Sequence, residues 1–117
     1  MDADLKNKLE VLGVDIDDAM ARFSGSDRIL VKFLKKLPTT DTYDKLKEAI
    51  AAGNAEDALM HSHTLKGNCG NLSLTKLYQL FSDQVALFRV PDYDAAVAMM
   101  PEIEEVYNYA VEKISEL

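Results

Sequence analysis

Apolar residues recur along this chain with the three- and four-residue spacing of α-helices, and no stretch alternates as a half-buried strand would. The spacing predicts a weak N-terminal helix around Leu5 and Leu9 and a short helix capped by Asp15. Ser26 is a good N-cap for the next helix, which Pro38 ends. The apolar residues of that helix have the spacing of a core face: Ile29, Leu30, Phe33, Leu34 and Leu37.

Two further helices are predicted in the middle of the chain. Asp41 or Thr42 begins the first, and Gly53 is placed to end it. Asn54 is expected to cap the second, which runs to about Gly70. Short connections between helices of similar length favour antiparallel packing.

The C-terminal part contains the clearest apolar stripe of the sequence, on a helix that Ser73 should cap and Pro91 should end. A last pattern extends from about Tyr93 to Ile114, and Pro101 should kink or split it. We therefore expect an all-α fold, an antiparallel four-helix bundle with one or two additional short N-terminal helices. No linker or repeat stands out, so residues 1–117 are expected to form a single domain.

Composition narrows the possible functions. The 117 residues have a formal net charge of −7, with 13 basic and 20 acidic side chains. Such an acidic surface argues against nucleic acid and against anionic membranes as partners. A single cysteine excludes an internal disulfide. With no signal-peptide pattern and no long apolar run, a cytoplasmic location is the expectation. One complete bundle accounts for the apolar stripes, so a monomer is expected.

The segment HSHTLKGNCGNL, residues 61–72, gathers the chain's chemically distinctive side chains. His61 and His63 are two residues apart, about 200° around a helix, so they cannot chelate one metal ion together. Cys69 should point inward as a small buried residue. His63 should lie at the edge of the apolar stripe, with Lys66 on its inner side and Gly67 on its outer side.

This arrangement suits a phosphoryl group. An exposed imidazole is a nucleophile that is mostly neutral near pH 7. Lys66 would offset the charge of a phosphate on His63. Gly67, inside a helix, costs up to about 1 kcal/mol relative to alanine, which suggests that another backbone must approach closely there. The ordinary alternative for any one of these residues is a structural histidine or a solvated lysine.

The run His63-Thr64-Leu65-Lys66-Gly67, followed by small residues and a turn, resembles the signature of histidine-containing phosphotransfer (HPt) domains. The segments LGVDIDDAMARFSGSDRILVKFLKKL and LKEAIAAGNAEDALMHSHTLKG resemble the regions that precede the signature in that family. The resemblance thus covers most of the chain. Ser73 departs from it, since glycine is common at that position, and so does Asn68, where serine or alanine is common.

The resemblance implies a role for each residue of the motif. His63 would be the phosphoacceptor, Lys66 would stabilise the phosphoryl group, and Gly67 would let the partner come close. The protein would carry a phosphoryl group between aspartates of receiver domains in a two-component phosphorelay, a form of signal transduction. Its partners would be receiver domains of response regulators and hybrid histidine kinases. It would be no enzyme, have no ATP site and no cofactor of its own, and the receiver would supply Mg²⁺.

A docking surface is expected around the phosphoacceptor. Met60, Thr64 and Asn68 are the candidate partner-binding residues. Met20 and Phe23 either contribute to this surface or belong to the core.

Other functions remain open from the sequence. One is a non-phosphorylated helical adaptor that binds a receiver or a histidine kinase. Another is an enzyme with His63 as general base, which would need an orienting carboxylate or a nucleophile. A metal or haem bundle is disfavoured by the positions of the two histidines. Gln84, on the next helix, is a candidate hydrogen-bond partner near His63.

Overall fold

Eight α-helices and one short 3-10 helix make up the fold, and the chain forms no β-strand. The computed structural model describes all residues, 1–117. The 3-10 helix, Leu37–Thr39, lies between the third and fourth α-helices. The α-helices are α1 Ala3–Leu12, α2 Ile16–Arg22, α3 Asp27–Lys36, α4 Thr42–Ala51, α5 Ala55–Asn71, α6 Thr75–Arg89, α7 Tyr93–Ala98 and α8 Met100–Ser115. The all-α prediction is confirmed.

Most helix ends lie where the sequence places them. Asp15, Ser26 and Asn54 each accept a hydrogen bond from the backbone N–H three residues on, at 3.1 to 3.2 Å. Gly53 has a left-handed φ of 69°, as expected for a residue that ends a helix. Pro101 lies in the first turn of α8, so the predicted break separates α7 from α8.

Ser73 is not a helix cap, contrary to the prediction. Leu74 occupies the cap position of α6, and Ser73 adopts a left-handed φ of 56° in the turn between α5 and α6. Its Oγ donates a 2.7 Å hydrogen bond to Asp18 Oδ2, and its carbonyl oxygen accepts one of 2.9 Å from Asp15 N. Ser73 therefore fastens α2 to the α5–α6 turn. A positive φ of this kind is one that glycine adopts without strain.

The third helix buries less than its sequence suggests. Leu30 and Leu34 are fully buried, whereas Ile29 is 45% exposed and Phe33 is 43% exposed. The prediction that Ile29 and Phe33 belong to the core is therefore wrong. The apolar stripe of α3 is wider than the surface that its neighbours, α2 and α8 among them, cover.

The N-terminal helix is better fixed than its weak pattern indicated. Leu9 is fully buried, and α1 packs against the C-terminal helix α8. Tyr109 Oη donates a 3.2 Å hydrogen bond to the carbonyl oxygen of Val11 across this contact. Three helices thus precede α4, and the first of them contributes to the core.

Helix α5 lies between α4 and α6 and packs extensively on both. Helix α6 continues the packing onto α7 and α8. The molecule is elongated, with extents of 45 × 23 × 19 Å. No helix combines the length and the apolar character needed to cross a membrane. The side of α5 away from α4 and α6 is where the motif residues are exposed.

We expect Ser73→Ala to destabilise the fold at neutral pH. Hydrogen bonds from Ser73 and then from Arg22 lower the pKa of Asp18 below its ordinary value of 3.8. A carboxyl group with a lowered pKa contributes stability above the unfolded pKa, and that contribution is lost as pH falls through the folded value. The parent should unfold at a higher urea concentration than the variant. This difference in urea midpoint should have its largest value at pH 7 and decrease below about pH 3.8.

Ser73→Gly is the matched control, since it also lacks the hydroxyl but accepts a positive φ without strain. It should be more stable than Ser73→Ala by about 1 kcal/mol. A midpoint difference between Ser73→Ala and the parent that is independent of pH would contradict the role given to Asp18.

Candidate functional site

The residues of the motif form one exposed face of α5. His63, Thr64 and Gly67 are exposed, and Met60 is 54% exposed. Their spacing of three, four and seven residues puts them on adjacent turns of one helix side. The structure therefore brings together His63, Gly67, Met60 and Thr64, as the sequence predicted.

The imidazole of His63 has no partner within the protein. No hydrogen bond and no ion pair involves either ring nitrogen. The residue before it, Ser62, and the residue two positions on, Leu65, are fully buried and anchor the opposite side of the helix. The backbone is thus fixed by the core while the ring faces solvent. No carboxylate orients the ring, which is what a general base of the usual kind would require.

Lys66 places a positive charge on the helix turn that follows His63. It is half-buried one turn after His63, and no ion pair involves its ammonium group. Its Nζ lies 6.0 Å from the ring centroid of Tyr78, an exposed residue of α6. A cation over an aromatic face is weakly attracted to it. Tyr78 therefore supports the lysine without neutralising its charge.

The two glycines of α5 differ in what surrounds them. A Cβ atom on Gly70 would lie 2.8 Å from Tyr78 Cδ1, so the tyrosine ring rests directly on the bare backbone of Gly70. A Cβ atom on Gly67 would meet nothing within 4 Å. The Tyr78 ring accounts for the glycine at 70, whereas no contact within the protein accounts for the one at 67.

The pairing of Gly70 with Tyr78 was missed in the sequence. In the sequence, Gly70 marked only the approximate end of the helix, and no contact of its backbone with the next helix was predicted. In the structure α5 continues to Asn71, and Tyr78 is 41% exposed. One signal in the sequence could have indicated this contact. Gly70 is a second glycine inside a helical pattern, and such a glycine often marks a place where another group packs against the backbone.

Gln84 bonds beside His63 rather than to it. This fully buried residue of α6 accepts a 2.8 Å hydrogen bond from Ser62 Oγ. Its Nε2 donates to the carbonyl oxygen of Ala96 at 3.1 Å and to Met100 Sδ at 3.2 Å. The side chain joins α5 and α6 to the α7–α8 region. It fixes the helix turn that presents His63.

The remaining candidates lie outside the exposed face. Asn68 is half-buried and lines a groove towards Phe33 of α3 instead of pointing straight outward. His61 is half-buried, with no hydrogen bond. Cys69 is fully buried, and burial raises the pKa of its thiol to about 12. Nowhere do three or more His, Cys, Asp or Glu side chains cluster closely enough to hold a metal ion.

We expect Gln84→Leu to lower the free energy of unfolding by about 1–3 kcal/mol, because it leaves the buried Ser62 Oγ without its partner. The Ala96 carbonyl also loses a hydrogen bond but keeps the one from Met99 N. Gln79→Leu is the control: Gln79 is an exposed residue of the same helix, bonded to Asp83, and should change stability by less than about 0.5 kcal/mol. Urea denaturation followed by circular dichroism measures both. Equal losses would contradict the importance of the buried bond.

The two glycines give a second pair of variants. Gly67→Ala should keep or raise stability, by up to about 1 kcal/mol, because alanine favours the helix and the space is open. Gly70→Ala should be less stable than Gly67→Ala, since its methyl group displaces the Tyr78 ring. Adding Tyr78→Ala should remove most of this penalty. A Gly70→Ala variant as stable as Gly67→Ala would show that the ring moves aside without cost.

The site therefore consists of a solvent-facing imidazole, an unpaired ammonium group one turn away and an open stretch of helix backbone. No protein-family model, no curated protein and no solved structure matches this chain.

Proposed function

We propose that this chain is a histidine phosphotransfer protein of the HPt type, with His63 as the phosphoacceptor. The observation that supports this most directly is the environment of His63. Its ring is exposed and has no partner, while the opposite side of the same helix is buried in the core. Lys66 and Gly67 follow His63 three and four residues later, one helix turn away. A phosphoryl carrier needs a nucleophile of this kind, one that is exposed enough for a partner protein to reach.

The proposal includes a finer description of the fold, in which α4, α5, α6 and α8 form an antiparallel four-helix bundle. Contacts of α4 with α5, α5 with α6 and α6 with α8 support it. Tyr43 of α4 stacks on Tyr107 of α8 at 4.0 Å between ring centroids, and Lys47 Nζ lies 3.4 Å from Glu104 Oε1. These contacts between α4 and α8 support a closed ring of four helices. The helices α1–α3 are additional to it.

The transfer step uses a nitrogen of the neutral His63 ring. This nitrogen attacks the phosphorus of an aspartyl phosphate on a receiver domain, forming an N–P bond as the O–P bond breaks. The aspartate leaves as a carboxylate, and the ring's remaining N–H proton is released to solvent or kept on the phosphoimidazole. Phosphoryl transfer has a loose transition state, so positioning and charge compensation matter most.

Lys66 compensates charge in this step. Its ammonium group is unpaired, and it supplies a compact positive charge for the phosphoryl oxygens. Gly67 has no side chain, so the receiver's backbone can approach the helix closely beside His63. The receiver supplies the phosphorylated aspartate and its Mg²⁺. The sequence has no G-x-x-x-x-G-K-[ST] phosphate loop, so the partner, not ATP, is the proposed donor.

The test is phosphoryl transfer from a set of phosphorylated receiver domains. Parent and His61→Gln should acquire acid-labile phosphate, and His63→Gln should acquire none. His61→Gln is the matched control because it changes the same residue type two positions away on the same helix. Lys66→Gln should still be labelled, at a rate lower by about tenfold or more.

Each other result has a definite meaning. Label that persists in His63→Gln would show that the phosphoacceptor is another residue. If no receiver labels the parent but some bind it, the chain is the non-phosphorylated adaptor that the sequence left open. Equal rates for Lys66→Gln and the parent would remove Lys66 from the site.

A further inference from the structure

An aromatic ring is the partner that the structure gives to the ammonium group of Lys66. Its Nζ lies 6.0 Å from the ring centroid of Tyr78, and no ion pair involves it. Lys47 and Lys113 also lie over tyrosine rings, but each is paired with a carboxylate oxygen, at 3.4 and 3.6 Å. The contact of Lys66 with Tyr78 is therefore of a different kind, because no acid shares it.

Gly70 determines where the Tyr78 ring lies. A Cβ atom on this glycine would come within 2.8 Å of Tyr78 Cδ1, so the ring occupies the space that a side chain would take. Gly70 follows Lys66 by four residues, and residues at that spacing are neighbours on one side of a helix. The hydroxyl group of Tyr78 makes no hydrogen bond within the protein. Packing of the ring, and not its hydroxyl group, thus brings Tyr78 to Lys66.

The lysine lies between this ring and the phosphoacceptor along the helix. The backbone of Lys66 is about 4.5 Å beyond that of His63 along the axis of α5, and that of Gly70 is about 6 Å further on. The lysine side chain is half-buried. A long, flexible side chain of this type has many rotamers when nothing restrains it. The Tyr78 ring therefore limits the positions of the ammonium group one turn after His63.

An aromatic ring suits a cation that must later bind a phosphoryl group. The ring attracts the ammonium group weakly and leaves its full charge in place. A carboxylate in the same position would cancel that charge and compete with the phosphoryl oxygens. Charge-assisted hydrogen bonds to phosphoryl oxygens are stronger than a contact with a ring. Lys66 can therefore be restrained by Tyr78 in the free protein and still transfer to the phosphoryl group.

We propose that Tyr78 is a positioning residue for phosphoryl transfer: its ring, resting on Gly70, restrains Lys66 on the side of α5 that carries His63. This inference rests on the function proposed above and deepens it. Tyr78 makes no contact with the phosphoryl group in this role and acts only through the lysine. Ordering the lysine in advance removes part of the entropy that its fixation in the transition state would otherwise cost.

The first experiment measures the rate of phosphoryl transfer to His63 over a range of concentrations of a phosphorylated receiver domain. Tyr78→Leu should lower the maximal rate by about two- to fivefold, the factor that corresponds to an exposed cation–π contact. The receiver concentration at half-maximal rate should not change. Tyr78→Phe should transfer as the parent does, because it keeps the ring. The matched control is Tyr109→Leu, which removes an exposed ring 5.5 Å from Lys113 Nζ on α8 and should leave the rate unchanged.

A double-mutant cycle separates positioning from a general effect on the fold. Tyr78→Leu should have no further effect on the rate in a Lys66→Gln background, because the ring then has no ammonium group to restrain. The same loss in both backgrounds would mean that Tyr78 acts on the packing of α5 and α6, and would overturn the proposal.

A second measurement needs no receiver. Carbon-13 relaxation of the ε-methylene group reports how freely the end of the Lys66 side chain moves in the unphosphorylated protein. Its order parameter should fall in Tyr78→Leu and stay at the parent's value in Tyr78→Phe. Lys76, an exposed lysine of α6, is the internal control and should be the same in all three proteins.

The outcomes separate the two proposals. If His63 is labelled and Tyr78→Leu transfers as fast as the parent, the positioning role is wrong and the phosphoacceptor stands. A faster Tyr78→Leu would show that the ring holds the lysine away from His63, which also overturns the role. If no receiver labels the parent, the proposed function falls, and the positioning role in transfer falls with it. An unchanged Lys66 order parameter in Tyr78→Leu would overturn the restraint itself.

Discussion

Burial of one side of α5 against both α4 and α6 is the constraint on which the rest of this structure depends. Ala58, Ser62, Leu65 and Cys69 are all buried on that side, and Ser62 is tied to Gln84 of α6. A helix held on two flanks can leave its third side bare without losing its position. The exposed imidazole therefore stands on a rigid base although nothing holds the ring itself.

Small residues make this arrangement possible. Alanine, serine and cysteine on the buried side of α5 let its neighbours pack closely, and Gly70 accepts the Tyr78 ring of α6 directly on its backbone. The ring in turn lies under the ammonium group of Lys66. Gly70 therefore affects both the packing of α5 on α6 and, through the Tyr78 ring, the surroundings of the Lys66 charge. Gly67 stands apart, because no contact within the protein explains it.

The sequence predicted well what depends on local chemistry. The caps at Asp15, Ser26 and Asn54, the break at Pro101 and the exposed face of α5 all follow from rules that act within one or two helix turns. The predictions from the sequence were wrong where contacts between distant parts of the chain determine which residues are buried. Whether the apolar stripe of α3 is covered depends on which helices lie beside it.

Ser73 shows the same limit. Its hydroxyl could cap the following helix, but Asp18, 55 residues earlier in the chain, binds it instead. No local rule indicates this contact. The sequence placed a hydrogen bond of Gln84 near His63, but no local rule identified Ser62 and Ala96 as its partners.

Cys69 gives this molecule a built-in reporter. It is the chain's single thiol, lies fully buried on the inner side of α5, and has a pKa raised to about 12 by that burial. A thiol reagent can reach it only when α5 separates from its neighbours, because only the exposed thiolate reacts. The rate of thiol modification therefore measures how often the helix that presents His63 opens, independently of any partner.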